Sequence, residues 1–176
     1  IHVLGWIRPR SVRRYSVFPT VTVLIPAYNE ANCSAKTIWN KLDQDYPREK
    51  LEIIVVSDGS IDGTDDIVRG FVHLGVLLLR REGREGKAAA LNEAVRHATG
   101  EILVFSDANS LFDRDAIRFM VENFADPEVG YVTGRLRYVG DGASLGGGAY
   151  MRHENRLRSA ETRIGSIIGV NGVGKT

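Results

Sequence analysis

"VVSDGSIDGT" occupies residues 55–64 and "ILVFSDANS" occupies residues 102–110. Each is an apolar, β-rich run that breaks at a serine and carries an aspartate, Asp58 or Asp107, into the turn beyond. A continuous apolar run bounded by turn residues reads as a strand buried on both faces, the kind that parallel sheets use. Two runs that end alike place two acids at the strand tips of one sheet.

The same pattern extends outward from them. "VTVLIP" (21–26), "LEIIVVS" (51–57), "VLLLR" (76–80) and "EILVFS" (101–106) read as four strands. Helices are expected over residues 30–42 and from 87 to about 97. Thr64 is expected to cap a short helix whose first turn carries Asp65 and Asp66. A further helix, capped by Asp113, is expected to run through Phe124, and "VGYVTGRLRYV" (129–139) reads as one or two more strands. Strand alternating with helix four times implies an α/β domain with a mostly parallel sheet and right-handed crossovers. Beyond it, "GDGASLGGG" (140–148) reads as a flexible loop and 150–162 as a helix rich in arginine and glutamate.

The chain has 176 residues, one domain's worth, with 43% hydrophobic and 26% charged residues. These are the proportions of an ordinary globular domain. A net charge of +1 makes no case for nucleic acid. The single Cys33 excludes an internal disulfide and fits a reducing compartment. No apolar run approaches the roughly 20 residues of a membrane span. Residues 1–18, "IHVLGWIRPRSVRRYSVF", stand apart as a basic leader with Trp6 ahead of Arg8, Arg10, Arg13 and Arg14. They read either as an exposed basic segment or as the juxtamembrane end of a preceding helix on the cytoplasmic side. The expected division is this leader and a domain over 19–176. A start at Ile1 and a stop at "NGVGKT" make the chain read as a piece of a longer protein.

In an open parallel sheet, ligands bind beyond the carboxyl ends of the strands where strand order reverses. Three tips deliver Tyr28, Asn29, Glu30, Asp58, Asp107 and Asn109 to such an edge. Asp107 and Asn109 set two side-chain oxygens at i and i+2, enough to reach one hard divalent cation whose shell is completed by water and substrate phosphate. A lone strand-end Asp is more often only a turn residue; two in one domain favour a site. Asp58 can offer its carboxylate to a planar donor such as a nucleobase imide. Asp62 and its flanking glycines read as turn chemistry. "GREGKAAALNEA" (83–94) opens a helix behind a glycine loop bearing Arg81, Arg84 and Lys87. That arrangement suits a phosphate, with Lys87 at the junction, or merely a solvated basic loop. The four histidines show no metal spacing.

"VTVLIPAYNEA", "EIIVVSDGSIDGT" and "GKAAALNEAVRHATGEILVFSDAN" closely resemble the family 2 glycosyltransferases, inverting enzymes of the Rossmann-like GT-A fold, over residues 19–139. The later "GAYMRHENRLRSAETRIGSIIGVNG" looks like the membrane-associated processive synthases of polysaccharide biosynthesis. The resemblance implies a mostly parallel sheet with helices on both faces and a nucleotide-diphosphate-sugar donor, usually a UDP-sugar. It implies a glycan or lipid-linked acceptor and a place on the cytoplasmic face of the membrane through segments outside this chain. By position, Ala27, Tyr28 and Glu30 would line the nucleoside pocket and Asp58 would hold the base. Lys87 would lie near the diphosphate, and Asp107 with Asn109 would fill the family's Asp-x-Asp place for Mg²⁺ or Mn²⁺. Asn109 removes one negative charge from that pair. The family's catalytic base lies past Thr176, so none is assigned; Glu154 and Glu161 fall among arginines that account for them as ion pairs.

"GVNGVGKT" (169–176) also spells the Walker A pattern. A phosphate loop needs a buried strand before it and a helix after it, and the resemblance expects a "GVNG"-like stretch here. A non-catalytic nucleotide-sugar-binding module and, less favoured, a nucleotidyltransferase or NTPase are the competing readings.

Overall fold

The computed structural model describes residues 12–134 and the backbone of 173–175. The strands are β1 (Val21–Ala27), β2 (Leu51–Asp58), β3 (Val76–Arg81), β4 (Ile102–Phe105), β5 (Tyr131–Val132) and β6 (Val173–Lys175). They form one sheet in the order β3-β2-β1-β4-β6-β5. The first four are parallel, whereas β6 runs antiparallel to both β4 and β5. The chain therefore steps from β1 to β2 to β3 on one side, then returns to lay β4 on the other side of β1. In open parallel sheets such a reversal, here between β1 and β4, is where ligands bind, beyond the carboxyl ends of the strands.

Among the described residues four α-helices cover the sheet: α1 (Ala31–Leu42), α2 (Thr64–Arg69), α3 (Lys87–His97) and α4 (Ala116–Val121). Alternate side chains of the central strands go to opposite faces. Val21, Val23, Ile25, Ile53 and Val55 cluster with Ile38 of α1, Val68 of α2 and Ile117 and Val121 of α4. Leu24, Ile54, Val56 and Leu103 cluster with Ala90 and Ala94 of α3. Burial on both faces explains why these strands lack the polar alternation of a half-solvated sheet. Each fully buried Val, Leu or Ile adds about 1.5–3 kcal/mol of burial free energy, so the strand tips hang from the most stable part of the molecule.

The four parallel strands, α1 and α3 fall where the sequence places them. Two cap assignments need correction. Thr64 is itself the first residue of α2, and the cap comes from Asp62, whose Oδ1 accepts the Thr64 N–H at 3.1 Å. Asp113 does not begin a helix: its carbonyl accepts the Ala116 N–H at 3.0 Å, α4 starts at Ala116, and the last turn, Glu122–Ala125, tightens to a 3₁₀ helix. The leader through residue 11, the rest of the expected strand at 135–139, the glycine-rich loop and the helix at 150–162 lie outside the described residues.

Candidate functional site

The first two strand tips are laced together. Asn29 takes a left-handed backbone, φ 54°, which asparagine tolerates better than most residues. Its Oδ1 accepts the Ile61 N–H at 2.9 Å, and its own N–H donates to Ser60 Oγ at 3.1 Å. The Glu30 N–H donates to Thr64 Oγ1 at 2.9 Å and the Ala31 N–H to Asp62 Oδ2 at 3.0 Å. Asp62 is thus the hub that joins the starts of α1 and α2, and the Thr64 hydroxyl, with the Ala31 amide, holds its carboxyl below the usual carboxylate range. Its part is the turn chemistry that its sequence context indicates.

Asp58 is only 3% exposed. Its Oδ1 accepts the Glu85 N–H at 3.1 Å and its Oδ2 the Gly86 N–H at 2.7 Å. Arg81, its register neighbour on β3, lies 3.4 Å from Oδ1 and also pairs with Glu85 at 2.5 Å. The acid therefore ties down the loop that leads into α3. Gly59 lets that loop approach: at φ 74°, an added Cβ would stand 2.9 Å from the backbone of Gly83 and of Arg84. Seated this way, the loop lays the Arg84 guanidinium 4.1 Å from the centroid of the Tyr28 ring, a cation–π contact.

Asp107 differs. Its side chain is half exposed and pairs with the half-exposed ammonium of Lys87, the first residue of α3. Asn109 is exposed, and between them Ala108 is buried. Gly86 and Lys87 are consecutive, so the two acids grip the start of α3 at adjoining residues: Asp58 the Gly86 amide, Asp107 the Lys87 side chain. Tyr28, Arg84, Lys87 and Asp107 gather around that start.

The remaining expected residues take different positions. Ala27 is 3% exposed and belongs to the core, so only its backbone can meet a ligand. Glu30 is the residue before α1, with its carbonyl accepting the Ser34 N–H at 2.9 Å and its Oε2 3.0 Å from Cys33 Sγ. Burial, with the Glu30 carboxylate beside it, pushes the Cys33 thiol up to about 11. In the Walker-like stretch, Val173–Lys175 is an extended strand paired with β4 and β5. A glycine-lysine pair drawn into a sheet does not wrap a phosphate. Sequence reasoning did not find the Arg84–Tyr28 stack, because nothing in spacing alone brings residue 84 over residue 28.

Among the described residues no group of three or more His, Cys, Asp or Glu gathers to hold a metal ion. Asp107 and Asn109 nevertheless fit a hard cation of the kind that keeps most of its shell for phosphate and water: two oxygen donors, both exposed, on one turn. No helix among the described residues is long and apolar enough to cross a membrane.

The Glycosyl transferase family 2 profile matches residues 22–173. A poly-beta-1,6-N-acetyl-D-glucosamine synthase of Staphylococcus aureus is 30% identical over 158 residues, 87% of this chain and 38% of that protein. The Staphylococcus epidermidis synthase of the same name is 34% identical over 128 residues, 72% of this chain and 31% of that protein. Among solved structures, a mannosyltransferase from Pyrobaculum calidifontis in complex with GDP-Man and Mn²⁺ superposes with a TM-score of 0.79 at 38% identity, covering 92% of this chain and 45% of that one. S. aureus TarS in complex with UDP-GlcNAc, at 22% identity and a TM-score of 0.65, shares the fold. The chain thus spans less than half the length of these relatives.

Proposed function

We propose, on the premise that the chain belongs to glycosyl transferase family 2, that it is the donor-binding part of an enzyme that moves a sugar from a nucleotide diphosphate to an acceptor hydroxyl with inversion. One observation carries this reading: the tips of β2 and β4 meet at Gly86 and Lys87, so a base-side acid and a phosphate-side acid flank one helix start. Residues 19–176 would form this part, and the basic leader would approach the membrane.

The nucleoside would lie along Tyr28, the backbone of Ala27 and Glu30, with the Arg84–Tyr28 stack as one wall. Asp58 would take the imide N–H of the base. A carboxylate offers about four lone-pair sites and two already serve the loop, so the base would use a remaining one as residues 82–86 shift aside. A UDP-sugar fits this role. GDP is the second candidate, because the Pyrobaculum structure holds GDP-Man. Lys87 would exchange Asp107 for the diphosphate. Mg²⁺ or Mn²⁺, when bound, would neutralise charge gathering on the leaving diphosphate, with Asp107 as its main ligand and Asn109 beside it. Lys87 would share that stabilisation.

In the transfer, the acceptor oxygen bonds to the anomeric carbon as the bond from that carbon to the diphosphate oxygen breaks. The nucleoside diphosphate leaves, and the hydroxyl proton passes to a carboxylate base. No residue of 12–134 is assigned that role. A glycan or lipid-linked acceptor fits this chemistry. Calorimetry with UDP and with GDP, each with and without Mn²⁺, tests the proposal. The expected result is saturable binding of one nucleotide that tightens with Mn²⁺; no binding of either, or preference for a nucleoside triphosphate, overturns it.

A further inference from the structure

Among the described residues Lys41 is the largest fully buried side chain, at 0% exposure, and no carboxylate there pairs with it. Its Nζ donates to the Ser110 carbonyl at 2.6 Å and to Asn40 Oδ1 at 3.0 Å, and stands 3.8 Å from the centroid of the Phe112 ring. Asn40 exchanges two hydrogen bonds with the backbone of Phe112: its Nδ2 donates to the carbonyl at 2.9 Å, and its Oδ1 accepts the N–H at 2.7 Å. The Thr37 hydroxyl donates to the Ala108 carbonyl at 2.6 Å. Positions 37, 40 and 41 share one face of α1 by their i, i+3, i+4 spacing. They bind residues 108, 110 and 112, every second residue of the segment after β4.

The consequence is an alternation in a segment that is not a strand. With 108, 110 and 112 held toward α1, residues 107, 109 and 111 are the exposed ones. Two of these are the paired oxygen donors. A turn closed by the Ser110 N–H to the Asp107 carbonyl at 3.1 Å sets their separation. Burying an ammonium costs several kcal/mol unless its hydrogen bonds are met, so a lysine spent on a backbone carbonyl at this place indicates a demand on the loop's geometry rather than on the core.

We infer that the Thr37–Asn40–Lys41 face of α1 is a positioning rack for the Asp107–Asn109 turn, holding both oxygens toward the cation of the bound nucleotide diphosphate. This rests on the donor-site reading above. The three residues are placed against neither nucleotide nor metal; they act through the backbone of residues 108, 110 and 112.

The test uses the whole chain. UDP or GDP, whichever the parent binds, is titrated with and without Mn²⁺ into the parent, Lys41→Met and Thr37→Val, and hydrogen exchange is followed at the Ser110 amide. The rack predicts that Lys41→Met lowers the Mn²⁺-dependent gain in affinity about tenfold, leaves the metal-free affinity within about twofold, and speeds Ser110 exchange. Thr37→Val should do the same to a smaller degree, and it carries the decision if Lys41→Met does not fold. Folded variants that keep the full Mn²⁺ gain overturn the inference and leave the donor-site reading intact. So does an equal loss with and without metal, which marks a merely structural role. A parent that binds nucleotide without any Mn²⁺ gain overturns the metal reading and this inference together.

Discussion

The tip of β2 and the tip of β4 carry the same short motif, a serine then an aspartate, yet the fold treats them oppositely. Asp58 is buried and both of its oxygens accept backbone amides of the loop between β3 and α3. Asp107 is half exposed and its carboxylate pairs with the half-exposed side chain of Lys87. The first acid is part of the architecture and the second is available for exchange. The same Ser-Asp pair thus yields two chemical characters, and the difference comes from what packs on each tip: the loop between β3 and α3 closes over Asp58 beside Gly59, whereas the segment after Asp107 is pulled toward α1.

Substituting each acid sets the contrast most sharply. Asp58→Ala should cost about 3 kcal/mol of stability, because it leaves Arg81 without its buried partner and two loop amides unpaired, and it should abolish nucleotide binding by removing the acceptor proposed for the imide N–H of the base. Asp107→Ala should change stability by less than about 0.5 kcal/mol, as expected of an exposed pair, while removing the Mn²⁺-dependent part of binding. Denaturant unfolding and calorimetry on both variants check this; equal stability losses would erase the distinction between the two tips.

Next in size is a pH effect on the segment that keeps the β4 tip open. Burial lowers the Lys41 ammonium from 10.5 to about 7. Between those values the unfolded chain holds more protons than the folded one, so stability should rise with pH above 7, by at most about 1.4 kcal/mol per pH unit. The Cys33 thiol, raised from 9.0 to about 11, works the other way once pH passes 9. The rise should therefore be clearest between pH 7 and 9 and should vanish in Lys41→Met, as measured by urea unfolding across that window. The smallest change expected is from Asn109→Asp, which restores a second charge beside Asp107 and should tighten Mn²⁺-dependent binding a few-fold without altering stability.

The frame that carries the two tips was legible in the sequence, whereas the contrast between them was not. The four parallel strands are written as uninterrupted apolar runs, and the two acids stand directly after them. Glycine at 86 followed by an alanine-rich run marks α3, and the helix does begin at Lys87. What the sequence hides is which loop closes on which tip. The pairing of Asp58 with the Glu85 and Gly86 amides spans 27 and 28 residues of sequence, and no local pattern encodes it. Lys41 left a fainter trace. Ser34, Thr37, Ile38 and Lys41 fall at i, i+3, i+4 and i+7, the register of a buried helix face, and all four are buried. A lysine in that register calls for an acceptor, though the sequence does not say which.

The central claim is that the two tips serve one ligand, and amide hydrogen exchange tests it most directly. UDP or GDP with Mn²⁺ is added stepwise to the chain, and exchange is read at Glu85 and Gly86 beside Asp58 and at Ser110 beside Asp107. The account predicts that all three amides respond together along a single binding curve. A response confined to one tip, or two curves with separate midpoints, would contradict it.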